Sequence, residues 1–141
     1  MGEGEQTMTE RVQKAIENHK KGMNCAQAVV CAFAKDLGVD EELLYKAAEG
    51  FGAGCGDMKN ICGAVSGAIM LAGIKNSSGN PAQATKGATY QLSKNIKAEF
   101  IKKNSTVICR ELKGVETKKV IRSCDGCIED AAAIAEAVLG L

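Results

Sequence analysis

The residues of this chain best suited to chemistry are its seven cysteines, at positions 25, 31, 55, 62, 109, 124 and 127. Four of them recur in one predicted setting, the first turn of a helix just after a polar residue. These are Cys25 after Asn24, Cys62 after Asn60, Cys109 after Ser105 or Thr106, and Cys124 after Ser123. A helix N-terminus presents unpaired backbone N–H groups and roughly half a positive charge. A thiol held there ionises more readily than a free one, whose pKa is about 8.5. Thiolates attack disulfides and bind soft metals, so four converging helix starts would make a site for several sulfur anions.

Cys124-Asp-Gly-Cys127 adds a CxxC, with two sulfurs three residues apart on one helix face. The spacing suits a reversible disulfide, and it equally suits two ligands of a soft metal or an iron–sulfur cluster. A thioredoxin-like reading would need a βαβ context, which the sequence pattern lacks. Cys31 lies six positions beyond Cys25, about 240° further round the same helix, so it faces away from any site at Cys25. It is expected to be a structural thiol, packed as a small hydrophobe. Cys55, in a glycine-rich loop, fits either role. Glu49, Asp57, Glu111 and Asp125 lie near these cysteines in sequence and are read first as surface or capping residues. Arg110 could stabilise a thiolate at Cys109 or pair with a carboxylate such as Glu111. His19, the one histidine, sits on a polar helix end and is read as a surface residue.

The elements that must position the thiols are helices, because no segment sustains period-two alternation. Gly50–Gly67, GFGAGCGDMKNICGAVSG, organises them. Glycines at 50, 52, 54 and 56 suit a tight, exposed backbone. Gly63, Ala64, Gly67 and Ala68 then put small side chains on one side of the helix that Cys62 opens, so another backbone can approach it. Before this stretch, Thr7-Met-Thr-Glu10 has the form of a capping box for a first helix that stops at Gly22. Asn24 caps a second helix ending at Gly38, and Asp40 a third that runs through Phe51. After it, Asn80-Pro81 predicts the start of a long helix reaching about Lys103. Ser105 or Thr106 opens a short helix closed by Gly114, and the CxxC opens the last one. The fold expected is a single all-α domain over residues 1–141, a compact bundle of about six helices with a glycine-rich loop.

Overall composition narrows the function. Eighteen Lys and Arg against seventeen Asp and Glu give a net charge of +1, so no global field draws in nucleic acid or anionic membrane. The lysines of residues 94–119 are read as a solvated face. The glycine loop lacks the Gly-Lys-Ser/Thr ending of a phosphate loop. The longest apolar run, Ile61–Ile74, is about 14 residues, too short to span a bilayer. The N-terminal residues show no basic and apolar leader pattern, so a cytoplasmic protein is expected. Seven thiols in a reducing compartment point to redox or metal chemistry rather than a disulfide framework.

The words CGAVSG at Cys62–Gly67, with Asn24-Cys25-Ala-Gln-Ala-Val before them and Cys109-Arg-Glu-Leu and Cys124 after, resemble the C-GCAxxG-C-C family, whose description is tied to redox activity. The resemblance runs from about Gly22 to Ala132. It implies four shared cysteines, mapping onto Cys25, Cys62, Cys109 and Cys124, and a functional link to a transporter, near which members are often encoded. Cys31, Cys55 and Cys127 fall outside that set, so no CxxC mechanism comes with the resemblance. The leading expectation is a thiol–disulfide oxidoreductase-like site. Cys62 or Cys124 would attack, Cys25 or Cys109 would resolve, and a redox partner protein or small thiol would exchange electrons. The alternative is an iron–sulfur cluster, zinc or copper-like ion held by Cys25, Cys62, Cys109, Cys124 and Cys127. Zinc sites usually take ligands as two close pairs, and only Cys124 and Cys127 are close here. A third reading is a helical scaffold with incidental thiols.

Overall fold

Polar caps set where the helices begin. Thr9 Oγ1 accepts a hydrogen bond from the Val12 N–H (3.2 Å) and starts α1 (Glu10–Lys20). Asn24 and Gln27 form a reciprocal capping box that starts α2 (Cys25–Leu37), and Ser123 Oγ accepts from the Gly126 N–H (3.0 Å) to start α7 (Cys124–Leu139). Between them lie α3 (Glu41–Ala48), α4 (Gly63–Asn76), α5 (Lys86–Asn104) and α6 (Cys109–Leu112). The computed structural model describes residues 8–141, so the Thr7 of the expected capping box lies outside the described residues. Within that span the protein is an all-α bundle of seven α-helices, against the expected six or so, with no strand.

Four helix boundaries differ from expectation. α4 begins at Gly63 rather than near Asp57 or Asn60. Ala53, Gly54, Cys55, Gly56 and Met58 all have positive φ, and residues 54–58 form a π-type turn. Left-handed residues cannot join a right-handed helix. α5 begins at Lys86 rather than Pro81. Ser78 Oγ donates toward the Asn80 and Gln83 carbonyls, and Asn80 Oδ1 accepts from the Ala82 N–H, so Asn80-Pro81 caps a turn and not a helix. α6 is a single turn starting at Cys109, because the preceding residues are engaged elsewhere, as described below. α3 gives way at Glu49 to a 3-10 turn through Phe51.

α2 and α4 form the centre, with α7 packed on α4, α1 and α5. α2 is buried continuously from Ala26 to Ala34. The small face of α4 allows the close contact: a Cβ at Gly67 would stand 3.0 Å from the Ala26 carbonyl oxygen. Phe33, Phe100, Leu71, Ile96, Leu112 and Ile128 fill one continuous core. Each large side chain fully withdrawn from water contributes about 1.5–3 kcal/mol before entropy is counted. Among the described residues no helix is long and apolar enough to cross a membrane.

Candidate cysteine site

Four short connections bring the cysteine-bearing helix starts to one end of the bundle. Residues 60–62 and 107–109 pair as an isolated antiparallel bridge. The Cys62 N–H donates to the Val107 carbonyl (2.7 Å) and the Cys109 N–H to the Asn60 carbonyl (2.9 Å). α4 meets α2 at its first turn, where a Cβ on Gly63 would lie 3.2 Å from Cys25 Cβ and 2.9 Å from the Phe51 carbonyl oxygen. The glycine loop closes over the third thiol. Gly54, at φ +57°, would place a Cβ 2.6 Å from Cys109 Cβ, a contact no side chain tolerates. Gly52 and Gly54 are thus buried packing residues, in contrast to the exposed backbone expected for the whole loop.

The fourth connection delivers α7. The N–H groups of Ile121 and Arg122 donate to the Leu112 carbonyl (2.8 and 3.3 Å), folding the chain back so that α7 starts beside the end of α6. Arg122 is held there by two hydrogen bonds to the buried Asp130 (3.1 and 3.2 Å), whose carboxylate also accepts from Asn104 Nδ2 (3.1 Å). Burial alone would raise the Asp130 pKa, but the bonds from Arg122 and Asn104 outweigh it and hold the group below its ordinary value.

The thiols of the cluster divide sharply in ionisation. Cys62 is lowered to about 6, chiefly by the neighbouring Cys127 thiol. Burial opposes ionisation, but the N–H groups of Ala64 and Val65 at the start of α4 and the charge of Lys113 add to the stabilisation. Cys127 moves the opposite way, raised by its neighbour Cys62 and by burial, so the pair pushes Cys62 toward the anion and Cys127 toward the neutral thiol. Cys25 is pushed up to about 12 by burial and by the charges of Cys62 and Cys124, and Cys109 is raised by burial and by Cys62.

Lys113 supplies the positive charge. Its half-buried Nζ lies 3.3 Å from the Arg122 carbonyl oxygen and 4.0 Å from Cys127 Sγ. Burial disfavours its ammonium, but the neighbouring sulfurs, Cys124 first and then Cys127 and Cys62, outweigh this and raise its pKa. A lysine within about 4 Å of a sulfur anion is worth several-fold more half-buried than in open water.

The structure thus gathers Cys25, Cys62, Cys109 and Cys124, with Cys62 as the N-cap of α4 and the other three as the first residues of α2, α6 and α7. It also brings in Cys127, which the sequence reading placed there only as a ligand under the metal alternative. Lys113 is the one residue that reading missed; its signal was its position four residues after Cys109, one helical turn away on the same face. Cys25 and Cys124 are half-buried, while Cys62, Cys109 and Cys127 are buried, so the half-buried pair forms the approach. All seven cysteines are free thiols. Among the described residues, no three Cys, His, Asp or Glu side chains are arranged to hold one metal ion.

The other candidates lie apart from the cluster. Cys31 is buried in mid-helix, its thiol 3.9 Å from the Glu41 carbonyl oxygen, and burial pushes it up to about 11. Cys55 is exposed on the positive-φ loop. Arg110 pairs with Glu116 (3.2 Å) rather than with a thiolate. Asp57 accepts from the Lys59 N–H, Glu111 accepts from the Thr106 hydroxyl, and the Glu49 side chain is exposed. His19 is more engaged than a surface reading implies: its Nδ1 lies 2.7 Å from Asp125 Oδ1, joining α1 to the first turn of α7.

A family model described as "Putative redox-active protein (C_GCAxxG_C_C)" matches residues 23–138, a span that includes every thiol of the cluster. The chain belongs to this family. No curated protein and no solved structure matches it.

Proposed function

We propose that this member of the redox-active family works by thiol–disulfide exchange at the cluster of Cys25, Cys62, Cys109, Cys124 and Cys127. The observation that carries the reading is the gathering of these thiols at helix starts around one lysine, with Cys62 at the N-cap of α4 and pushed toward its thiolate. A structural cysteine needs none of these, and a thiolate is the reactive form in disulfide exchange. Half-buried Cys25 and Cys124 offer the sulfur that a redox partner protein or small disulfide would reach first. The buried thiols then complete an internal disulfide, and two electrons pass to the substrate. No separate acid or base is required, since the cluster holds both a thiolate and donors.

The test is a thiol count on protein purified without oxygen, before and after a mild oxidant and again after reduction. Metal and acid-labile sulfide are measured on the same sample. Exchange chemistry predicts that thiols disappear in pairs and return on reduction. Stoichiometric iron with sulfide, or stoichiometric zinc, would replace this reading with a metal centre bound by the same cysteines. Thiols that resist oxidation altogether would make the cluster a structural one.

A further inference from the structure

Resting on that reading, we infer that Cys124 and Cys127 are the exchanging pair, with Cys124 meeting the substrate and Cys127 resolving the mixed disulfide. Cys127 is outside the four cysteines of the family resemblance, so this assigns a reacting thiol that the family pattern does not.

Three observations converge on it. First, residues three apart in the first turn of α7 have Cα atoms about 5 Å apart. That is inside the range of roughly 4.4–6.8 Å that a disulfide accepts, so the bond can form without unwinding the helix. Second, the two sulfurs differ in access as exchange requires. Cys124 is half-buried and can meet a substrate, while Cys127 is fully buried and can meet only Cys124 and its own neighbours. Third, the surroundings serve both sulfurs at once. Lys113 Nζ lies 4.0 Å from Cys127 Sγ, and the charges of Cys127 and Cys124 both act on it, so one cation serves both positions where negative charge appears during exchange. The Cys127 thiol itself faces the Arg122 carbonyl oxygen at 4.0 Å.

The balanced sequence has two steps. The Cys124 thiolate attacks one sulfur of a disulfide RSSR, the S–S bond breaks, and one RS⁻ leaves and takes up the proton that Cys124 lost. Cys127 Sγ then attacks Cys124 Sγ, the mixed S–S bond breaks, and the second RS⁻ leaves and takes up the proton that Cys127 lost. The protein loses two electrons and two protons, forming the Cys124–Cys127 bond, and RSSR becomes two RSH.

The experiment treats the reduced protein with glutathione disulfide, alkylates the remaining thiols and maps the products by mass spectrometry. Cleavage after Arg122 leaves both cysteines in one peptide, residues 123–141. The expected product is that peptide lacking two hydrogens and carrying no alkyl group. In Cys127→Ser the same peptide should instead accumulate glutathione on Cys124. A disulfide joining Cys62 to Cys25 or Cys109, with residues 123–141 fully alkylated, would overturn the assignment while leaving thiol exchange intact. No reversible disulfide anywhere in the wild-type protein would overturn both.

Discussion

Cys31 and Cys62 are the same residue type at nearly the same depth, 1% and 2% exposed, yet they are opposite in character. Cys31 sits in the middle of α2, where every nearby backbone N–H is used within the helix. Burial then acts alone in substance and drives its pKa up to about 11. Cys62 is the N-cap of α4 and is lowered to about 6, first by the Cys127 thiol and then by the backbone at the helix start and by Lys113. Burial costs a charge its solvation in both places. What differs is whether the protein returns hydrogen bonds and positive charge to the sulfur. A helix start does not decide this alone, since Cys25 and Cys109 also open helices and are raised; the groups around the sulfur, Cys127 first, decide whether it is packing material or a reagent.

The comparison can be strained from either side. The larger effect should come from Lys113. Lys113→Met removes the one cation among the sulfurs and should slow disulfide exchange at neutral pH roughly tenfold, the equivalent of about one pKa unit. Lys113→Arg keeps the charge and should retain most of the rate. Stopped-flow reduction of a small disulfide across a pH series separates a shifted midpoint from a simple loss of fold. Equal loss in both variants would mean that Lys113 acts through packing and not through charge.

The smaller effect belongs to Cys31. Cys31→Ala should cost about 1 kcal/mol of stability, as expected for removing one buried heavy atom, and leave exchange unchanged. Chemical denaturation and the same kinetic assay would show this. A kinetic change would mean that depth alone confers reactivity here.

The sequence announced the helix starts because capping is local chemistry. Asn24 and Ser123 must sit within three residues of the N–H groups they satisfy, so Cys25 and Cys124 could be placed in first turns from neighbours alone. The exclusion of Cys31 followed from helical period in the same way. What was not legible depends on contacts between distant segments. The pairing of residues 60–62 with 107–109 carries no alternation pattern, since it is one bridge long, and it is what joins Cys62 to Cys109. The fold-back onto the Leu112 carbonyl, fixed by Arg122 and Asp130, is what brings Lys113 to the CxxC. Asn80-Pro81 misled because its local signal is genuine but serves a turn, where Ser78 competes successfully for the backbone.

The most direct test of the account is a thiolate titration of the reduced protein by ultraviolet absorbance, for the wild type beside Cys62→Ala. One thiolate should form with a midpoint near pH 6 in the wild type and be absent from the variant. Thiolate absorbance that stays flat until the ordinary thiol range near pH 8–9, or a low-pH thiolate that survives loss of Cys62, would contradict it.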